Sequence, residues 1–429
     1  MKSILLVLAF SSAISAQSIE PGRLTSALKD RAMADQIARM KTDDRIAVYQ
    51  ALTTHKAENL RYQNLMAAAY IQKMRETSDS AYLERAAKIL DGVLAQEGSN
   101  YQALRLRSQV DLERHNFAKV AEHSRELIRL APDDPWNWGV LGDALMELGD
   151  YGPAAEAYQK MITLRPDLAS YNRASYYRFV AGDAAGAITV MKQAISAGSR
   201  SPENVAWCLV DLGNLYFKTG KLGEASDAFS AALRAFPQYH PAHYGLGRVY
   251  AAQGQTRTAV ESLKRAQAAV PLVEYAAALE DLYTAEGLQE DARKQRELIE
   301  MLDNLEQANK QTANRNLALV YADHDRKLDR ALELAEAELK VRKDIYTYDA
   351  LAWVLYKNKK YGEAAKAMNI AMQMGTPEPL FYYHAGMIAA ALGNKADARM
   401  HLERALALNP RFDLRQGAIA ASALREARQ

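Results

Sequence analysis

The sequence predicts an all-α protein made of repeated helical hairpins, and three regular spacings predict this fold. Four glycines each precede a proline by 24 residues, in the pairs Gly142 and Pro166, Gly213 and Pro237, Gly247 and Pro271, and Gly386 and Pro410. An alanine follows each of these glycines by 12 residues, at Ala154, Ala225, Ala259 and Ala398. Pro132 and Pro166, like Pro237 and Pro271, are separated by a longer interval of about 34 residues, a period typical of stacked repeat units.

Each unit is predicted to hold two amphipathic helices. In the clearest unit these helices are 136–148 and 151–164, separated by Gly149 and closed by Pro166. A glycine recurs where the first helix ends, at Gly149, Gly220, Gly254 and Gly393, because a left-handed cap there is free of a Cβ clash. Small residues such as Gly142 and Ala154 let the two helices approach closely, and the final proline prevents the second helix from continuing.

The N-terminal segment 1–16 has the pattern of a secretory signal peptide. Lys2 precedes the apolar run 4–10, and small residues fill 11–16. We therefore expect residues 1–16 to be a signal peptide with cleavage near Ala16, and the mature chain to be exported. The run is much shorter than the ~20 apolar residues of a spanning helix. The one cysteine, Cys208, can form no internal disulfide, so packing must hold the fold together.

Helical segments are predicted to cap both ends of the repeats. Residues 17–58 have helical spacing and are predicted as an N-terminal cap, residues 59–412 as the repeat array, and residues 413–429 as a C-terminal capping helix. One early unit is expected to carry an inserted loop at 76–80. Longer steps between units predict longer loops after Ser199 and before Asn314.

Composition agrees with a folded chain without a strongly charged partner. About half of the 429 residues are apolar (49%) and a quarter are charged (25%), which excludes a disordered protein. The 54 Lys and Arg residues against 52 Asp and Glu residues give a net charge of +2. This balance provides no long-range field for nucleic acid or an anionic membrane, and neither is expected as a partner.

The repeat resembles the tetratricopeptide repeat family, whose pattern runs W-x2-L-G-x2-Y, then A-x3-F, then P. One copy is carried by Trp138, Leu141, Gly142, Leu145, Ala154, Tyr158 and Pro166, and a second by Leu209, Leu212, Gly213, Tyr216, Ala225, Phe229 and Pro237. A third is carried by His243, Leu246, Gly247, Tyr250, Ala259, Leu263 and Pro271. The resemblance implies a right-handed superhelical solenoid of about ten units. With the signal peptide, the chain is similar to exported envelope proteins of this family.

In such a solenoid the first helix of each unit lines a concave groove, where partner recognition is expected. Helical spacing predicts that the groove is lined by Trp136, Asp143, Trp207, Asn214, Tyr244, Arg248, Arg315, Trp353, Tyr356 and Tyr383. Trp, Tyr and Arg side chains dominate interface hot spots. For the three tryptophans among them, simple packing remains an equal alternative, whereas the consensus residues Trp138, Tyr216, Tyr250 and Tyr321 are expected in the core.

Catalytic and metal-binding patterns are missing from the sequence. It has no HExxH, Gly-rich phosphate loop, G-x-S-x-G elbow or pair of cysteines. His240 and His243 could suggest a metal, but Pro241 follows the first and the second falls at a packing position. Cys208 is expected to be a buried structural thiol. The sequence thus predicts neither an enzyme, nor a cofactor, nor a metal site.

The function predicted from these observations is a non-catalytic scaffold or adaptor in an exported compartment, with the periplasm as its expected place. It would bind a partner peptide or protein in the concave groove. A chaperone-like carrier of unfolded peptides is a second interpretation, and an enzyme with a site on the convex side or in the 300–315 connection is a third. The identity of the partner does not follow from the sequence.

Overall fold

The computed structural model describes residues 36–56, 58–308 and 313–428. These residues form helices joined by short loops, and no β-strand occurs among them. The helices are α1 (Thr42–His55), α2 (Leu60–Thr77), α3 (Ser80–Gln96), α4 (Tyr101–Glu113), α5 (Phe117–Leu130), α6 (Pro135–Glu147), α7 (Tyr151–Leu164), α8 (Leu168–Val180), α9 (Ala184–Ala197), α10 (Pro202–Lys218), α11 (Leu222–Ala235), α12 (His240–Ala252), α13 (Thr256–Ala269), α14 (Val273–Ala285), α15 (Gln289–Ala308), α16 (Arg315–Asp323), α17 (Leu328–Val341), α18 (Ile345–Lys357), α19 (Tyr361–Ala371), α20 (Pro379–Ala391), α21 (Lys395–Leu408) and α22 (Gln416–Ala427).

From α2 to α21 these helices form successive hairpins, α2 with α3, α4 with α5, and so on to α20 with α21. We call the even-numbered member of each hairpin its first helix and the odd-numbered member its second helix. Each hairpin also packs on the next one along the chain. The protein is therefore the all-α solenoid that the repeat spacing predicts.

The small residues of the repeat let the two helices of a hairpin touch. A Cβ atom on Gly213 would lie 2.6 Å from the ring of Phe229, and a Cβ atom on Gly142 would overlap the ring of Tyr158. The alanine that follows each of these glycines in the repeat pattern, such as Ala225, is fully buried. The predicted close approach is confirmed. The predicted left-handed end of the first helix is also confirmed, since Gly149 has a φ of +79°.

Long helices lie beside all three places where an inserted or longer loop is predicted. The inserted loop predicted at 76–80 is wrong, because α2 runs to Thr77 and α3 begins at Ser80. Ser78 makes the bend with a left-handed φ of 56°. After Ser199 the next helix, α10, begins at Pro202 and has 17 residues, so helical turns absorb the extra spacing there. Before Asn314, α15 has 20 residues, and residues 309–312 of the predicted loop lie outside the described residues.

The solenoid coils tightly enough for one superhelical turn to rest on the next. The Ile345 amide donates to the Tyr151 hydroxyl at 2.8 Å, the Thr376 hydroxyl to the Val180 carbonyl at 2.6 Å, and the Asn409 amide to the Phe217 carbonyl at 2.8 Å. These partners are 194, 196 and 192 residues apart. We call this row of contacts the inter-turn seam.

An apolar core continues across the inter-turn seam. Phe117, Leu145 and Tyr158 of the earlier turn belong to one buried cluster with Ile345 and Phe381 of the later turn. At ~25 cal/mol per Å² of buried apolar surface, such a shared core stabilises the closed coil as well as its individual units. The contacts between the two turns thus fix the width of the space inside the coil.

Helices outside the hairpins cover both ends. At the N-terminal end α1 packs on α2. The predicted signal peptide and the first part of the N-terminal cap, residues 1–35, lie outside the described residues. At the C-terminal end α22 packs on α21, and the segment before it is anchored by Phe412, which is 4% exposed and lies against Tyr383.

Candidate functional site

A cavity of about 700 Å³ lies inside the coil. Its walls come from the first helices α10, α12, α14, α16, α18 and α20, from the segment 410–414 and from α22. Each first helix lines the cavity because the second helix of the same hairpin packs on its outer face, so its other face points to the interior of the coil. The apolar and aromatic part of the lining includes Phe217, Tyr244, Ala278, Leu319, Tyr346, Leu380 and Phe381.

Several charged side chains on the wall are held by ion pairs. The Lys218 ammonium lies 2.6 Å from the Glu378 carboxylate, and the Arg315 guanidinium lies 3.2 Å from Asp344. A carboxylate oxygen of Asp281 lies 3.0 Å from Nε2 of His324. Such pairs satisfy charges that would be costly to leave alone in a partly buried place. They fix the shape of the wall and leave few charges free for a ligand.

Arg248 lies on the wall against two aromatic rings. Its guanidinium stacks 4.2 Å from the centre of the Phe217 ring and 5.6 Å from that of Tyr244. Within the described part of the chain it makes no hydrogen bond or ion pair. Its N–H donors are therefore available to a molecule in the cavity.

Several carboxyl groups around the cavity hold their protons more tightly than they would in water. Burial raises the pKa of Asp323 to about 6, with a further rise from the charge of Asp413, while His384 and the Trp353 indole act in the opposite direction. Burial also raises the pKa of Asp349, which lies 2.8 Å from His384. These carboxyl groups are partly shielded from solvent, and polar contacts in such a place are stronger than in water.

The structure brings together three of the residues predicted to line the groove. Tyr244, Arg248 and Arg315 all line the cavity. Of these, Arg315 already holds Asp344, so its first role is to tie α16 to the start of α18. That these three residues bind a partner stays a prediction.

Four further predicted residues lie on earlier first helices, away from the cavity lining. Trp207 is 42% exposed and lies under the Arg75 guanidinium, 4.9 Å from its ring centre. Trp136 lies under Arg105 at 4.6 Å. Asp143 is held by the Arg173 guanidinium at 2.6 Å, and Asn214 is half-buried on α10.

For Trp353 and Tyr383, two of the last three predicted residues, the structure corrects the expectation of an open position. Trp353 and Tyr383 are each only 2% exposed, so a partner cannot reach them. The indole of Trp353 stacks on His384 at 4.2 Å and donates to Asp323, and the ring of Tyr356 stacks on the same indole at 4.8 Å. Packing explains Trp353 and Tyr383, because neighbouring first helices and Phe412 cover them, and Tyr356 is half-buried beside them.

The consensus positions behave largely as expected. Tyr216 and Tyr321 are buried at 8% and 1% exposure, whereas Trp138 and Tyr250 are only partly buried. Cys208 is 1% exposed, and burial raises the pKa of its thiol to about 12. His240 lies 2.8 Å from the Tyr275 hydroxyl. The described residues hold no group of three or more His, Cys, Asp or Glu side chains arranged to bind a metal ion.

Sequence reasoning missed several residues of the wall. Tyr346 and Asp349 come from α18, Glu378 and Phe381 come from the start of α20, and Asp413 comes from the terminal segment. The repeat period identifies positions within a unit, but the pitch of the coil decides which units meet. An apolar segment with an acidic residue, Phe412-Asp413-Leu414, was the one signal available in the sequence.

The hairpins, the coil and the concave cavity define an α-helical repeat solenoid. The sequence model of the tetratricopeptide repeat family matches residues 140–202, 210–274 and 350–413. These three segments match that family, and assignment of the whole chain to it remains a prediction. Proteins with these repeats generally mediate protein–protein interactions.

Solved structures with a similar fold include PilW, a widely conserved type IV pilus biogenesis factor, with 16% identity and a TM-score of 0.41 over 46% of this chain and 90% of that one. PilF of Pseudomonas aeruginosa has 14% identity and a TM-score of 0.41, covering 47% and 91%. Yeast Tom70 has 14% identity and a TM-score of 0.34, covering 95% and 97%. These similarities are too low to transfer a function. No curated protein matches the sequence.

None of the helices in the described part of the chain combines the length and the apolar composition of a membrane-spanning helix.

Proposed function

We propose that the protein is a non-catalytic scaffold or adaptor that binds a segment of a partner protein in the cavity inside the coil. The observation that carries this proposal is the cavity itself. First helices of six consecutive hairpins build its wall, and aromatic and apolar side chains alternate there with fixed polar groups. Concave surfaces with this mixture bind ligands by burying apolar area and use a few polar groups for specificity.

The size of the cavity fits a short segment of chain rather than a folded domain. About 700 Å³ corresponds to a handful of amino-acid residues. Because paired charges and the inter-turn seam fix the wall, little ordering is needed on binding, and this preorganisation favours affinity. The rest of a partner would contact the rim or the outer surface.

Export of the chain is a further part of the proposal, supported by the pattern of residues 1–16. We place the mature protein in the periplasm or outside the cell. Mass spectrometry of the N-terminus of the protein purified from its native host checks this part. A mature chain that begins near residue 17 is expected, and an intact Met1 in the cytoplasmic fraction would contradict it.

Affinity capture tests the binding proposal. Ala278 lines the cavity on α14, and Ala278→Trp places an indole where the partner segment would lie. Ala185, on the second helix α9 and outside the cavity lining, gives the matched control Ala185→Trp. Wild-type protein and the control, cross-linked in native envelope extract, are expected to retain a small set of proteins in fixed ratio, and Ala278→Trp to lose them.

The same experiment separates the scaffold from a peptide carrier. A carrier would retain many clients weakly and without a fixed ratio. Equal recovery by Ala278→Trp and Ala185→Trp would move the partner site away from the cavity and contradict the proposal. Circular dichroism of both variants shows whether each one keeps the helical fold.

A further inference from the structure

The cavity wall contains one unsatisfied positive group among the described residues, and this identifies the chemistry of the partner segment. The other cations of the wall are already occupied: Lys218 by Glu378, Arg315 by Asp344, His324 by Asp281, and Arg411 by the carbonyl of Ala252 at 2.8 Å. Arg248 has no such partner in the part of the chain that the structure describes. A molecule that enters the cavity therefore meets one cation, Arg248, whose N–H donors are used by none of the described residues.

The setting of Arg248 favours a planar anion. The guanidinium carbon lies 4.2 Å from the centre of the Phe217 ring and 5.6 Å from that of Tyr244, and neither contact uses its N–H donors in a hydrogen bond. A guanidinium binds a carboxylate through two parallel N–H···O bonds. The two aromatic contacts already restrict the long side chain, so it loses less conformational entropy when a ligand binds. An amide or hydroxyl of the partner could use only part of this donor set.

The protein's own terminal segment shows the kind of chain that fits beside this group. Residues 410–414 line the cavity and bring the carboxylate of Asp413 near Arg248. Burial raises the pKa of Asp413, and the positive charge of Arg248 opposes that rise. The oxygen Oδ1 of Asp413 accepts the backbone amides of Arg415 and Gln416, so this carboxylate caps α22 and leaves the donors of Arg248 open. Phe412 and Leu414 flank it with apolar side chains.

We propose that Arg248 binds the carboxylate of an aspartate or glutamate within the partner segment, while flanking apolar side chains of that segment pack on Leu319 and Leu380. This inference deepens the proposed function and rests on it, because it assigns the chemistry of the segment that the cavity holds. The carboxylate comes from a side chain rather than from a chain terminus, as it does in the internal segment that already lies on this wall.

The test uses model peptides as probes. Fluorescein-labelled heptapeptides with acetylated and amidated ends carry Leu and Phe around a central Glu, Gln or Lys, and fluorescence anisotropy measures their affinity for the full-length mature protein. The Glu peptide is expected to bind roughly tenfold or more tightly than the Gln peptide, since a charge-assisted pair is lost in the latter. The Lys peptide is expected to bind most weakly.

Variants assign the preference to one side chain. Arg248→Gln is expected to bind the Glu and Gln peptides equally, and Arg248→Lys to keep only part of the preference. The control Arg257→Gln changes a 94% exposed arginine on the outer helix α13 and is expected to leave the preference unchanged. A full preference for Glu in Arg248→Gln would overturn the inference.

The cavity-filling variant Ala278→Trp distinguishes failure of the proposed peptide site in the cavity from failure of the assignment to Arg248. If it abolishes binding while Arg248→Gln leaves the Glu preference intact, the cavity binds peptides and the assignment to Arg248 is wrong. If wild-type protein binds none of the peptides, or if Ala278→Trp binds all of them as wild-type does, the cavity is not the peptide site and both proposals fail. Urea denaturation of Arg248→Gln confirms that the variant is folded.

Discussion

At the residue scale, Gly149 combines two demands that only glycine meets. Its φ of +79° is costly for a residue with a Cβ atom, and a Cβ atom there would lie 2.6 Å from the carbonyl oxygen of Lys343, one superhelical turn away. Gly254 has nearly the same φ, +75°, with no atom within 4 Å of the Cβ position. A comparison of substitutions at these two glycines therefore distinguishes the cost of local backbone strain from the cost of disturbing a contact across the inter-turn seam.

Gly149→Ala is expected to destabilise the protein more than Gly254→Ala. The left-handed conformation alone costs ~1–2 kcal/mol in both variants. In Gly149→Ala the backbone of residue 343 must also move, which disturbs the bond from its amide to the Glu147 carbonyl at 2.7 Å. Urea denaturation of both variants measures the difference. Equal losses of stability would show that the seam does not constrain this turn.

Asp323 is expected to make the protein less stable as the pH rises from about 4 to about 6. Its folded-state pKa of about 6 lies above the usual value of 3.8, so folding favours the protonated form. The contribution is fully present below the unfolded-state pKa and is lost as the pH passes the folded-state value.

Asp323→Asn tests this pH dependence. The Trp353 indole and the Gln416 amide both donate to one oxygen, Oδ1, which asparagine retains. Above pH 7 the variant is therefore expected to be more stable than wild type by about 1–2 kcal/mol, with a flatter profile from pH 4 to pH 6. Thermal unfolding across this range measures it, with the exposed Asp227→Asn as control. Identical profiles for Asp323→Asn and wild type would refute the assignment.

At the element scale, single hairpins could be predicted well from the sequence. The glycine–alanine–proline spacing places each first helix, its left-handed end and its second helix, because all of these depend on contacts within one repeat unit. Lengths were less predictable: the extra spacing near α2, α10 and α15 became helix, since a helix can add turns wherever the following unit still packs. The C-terminal helix was expected, but its anchorage across the coil was not.

The anchorage of α22 is expected to depend on Phe412 rather than on Leu414. Phe412 is 4% exposed and its ring lies 5.6 Å from that of Tyr383, whereas Leu414 is 40% exposed. Truncating a buried phenylalanine to alanine costs ~3–5 kcal/mol. Phe412→Ala should thus speed hydrogen exchange of the α22 amides strongly, while Leu414→Ala changes it little. Similar exchange in both variants would mean that α22 is held by other contacts.

At the scale of the whole molecule, the arrangement of the cavity follows from the pitch of the coil. Residues 192 to 196 positions apart meet at the inter-turn seam, and the repeat period does not specify this separation. Tyr244, Arg248 and Arg315 could therefore be predicted from their place in one unit. The places of Glu378 and Phe381 could not be predicted, because they depend on which later unit closes over an earlier one.

The inter-turn seam is expected to contribute measurably to stability. Thr376→Val removes the hydroxyl that donates to the buried Val180 carbonyl and keeps the shape of the side chain. The expected loss is ~1–3 kcal/mol, since a buried acceptor loses its donor. Thr163→Val removes an exposed hydroxyl that bonds only within α7 and is the control, with a loss below about 0.5 kcal/mol. Equal losses in a urea titration would argue against a stabilising seam.

The most direct test of the central claim is thiol protection inside the cavity. Cys208 is 1% exposed with a pKa of about 12, so a maleimide reagent should modify an introduced cysteine selectively in the folded protein. Native envelope extract is added to Ala278→Cys and to the control Ala185→Cys, and the labelling rates are compared with those in buffer. If a partner segment occupies the cavity, labelling at position 278 slows several-fold and labelling at position 185 does not. Unchanged labelling at position 278 while partners are bound would contradict the account.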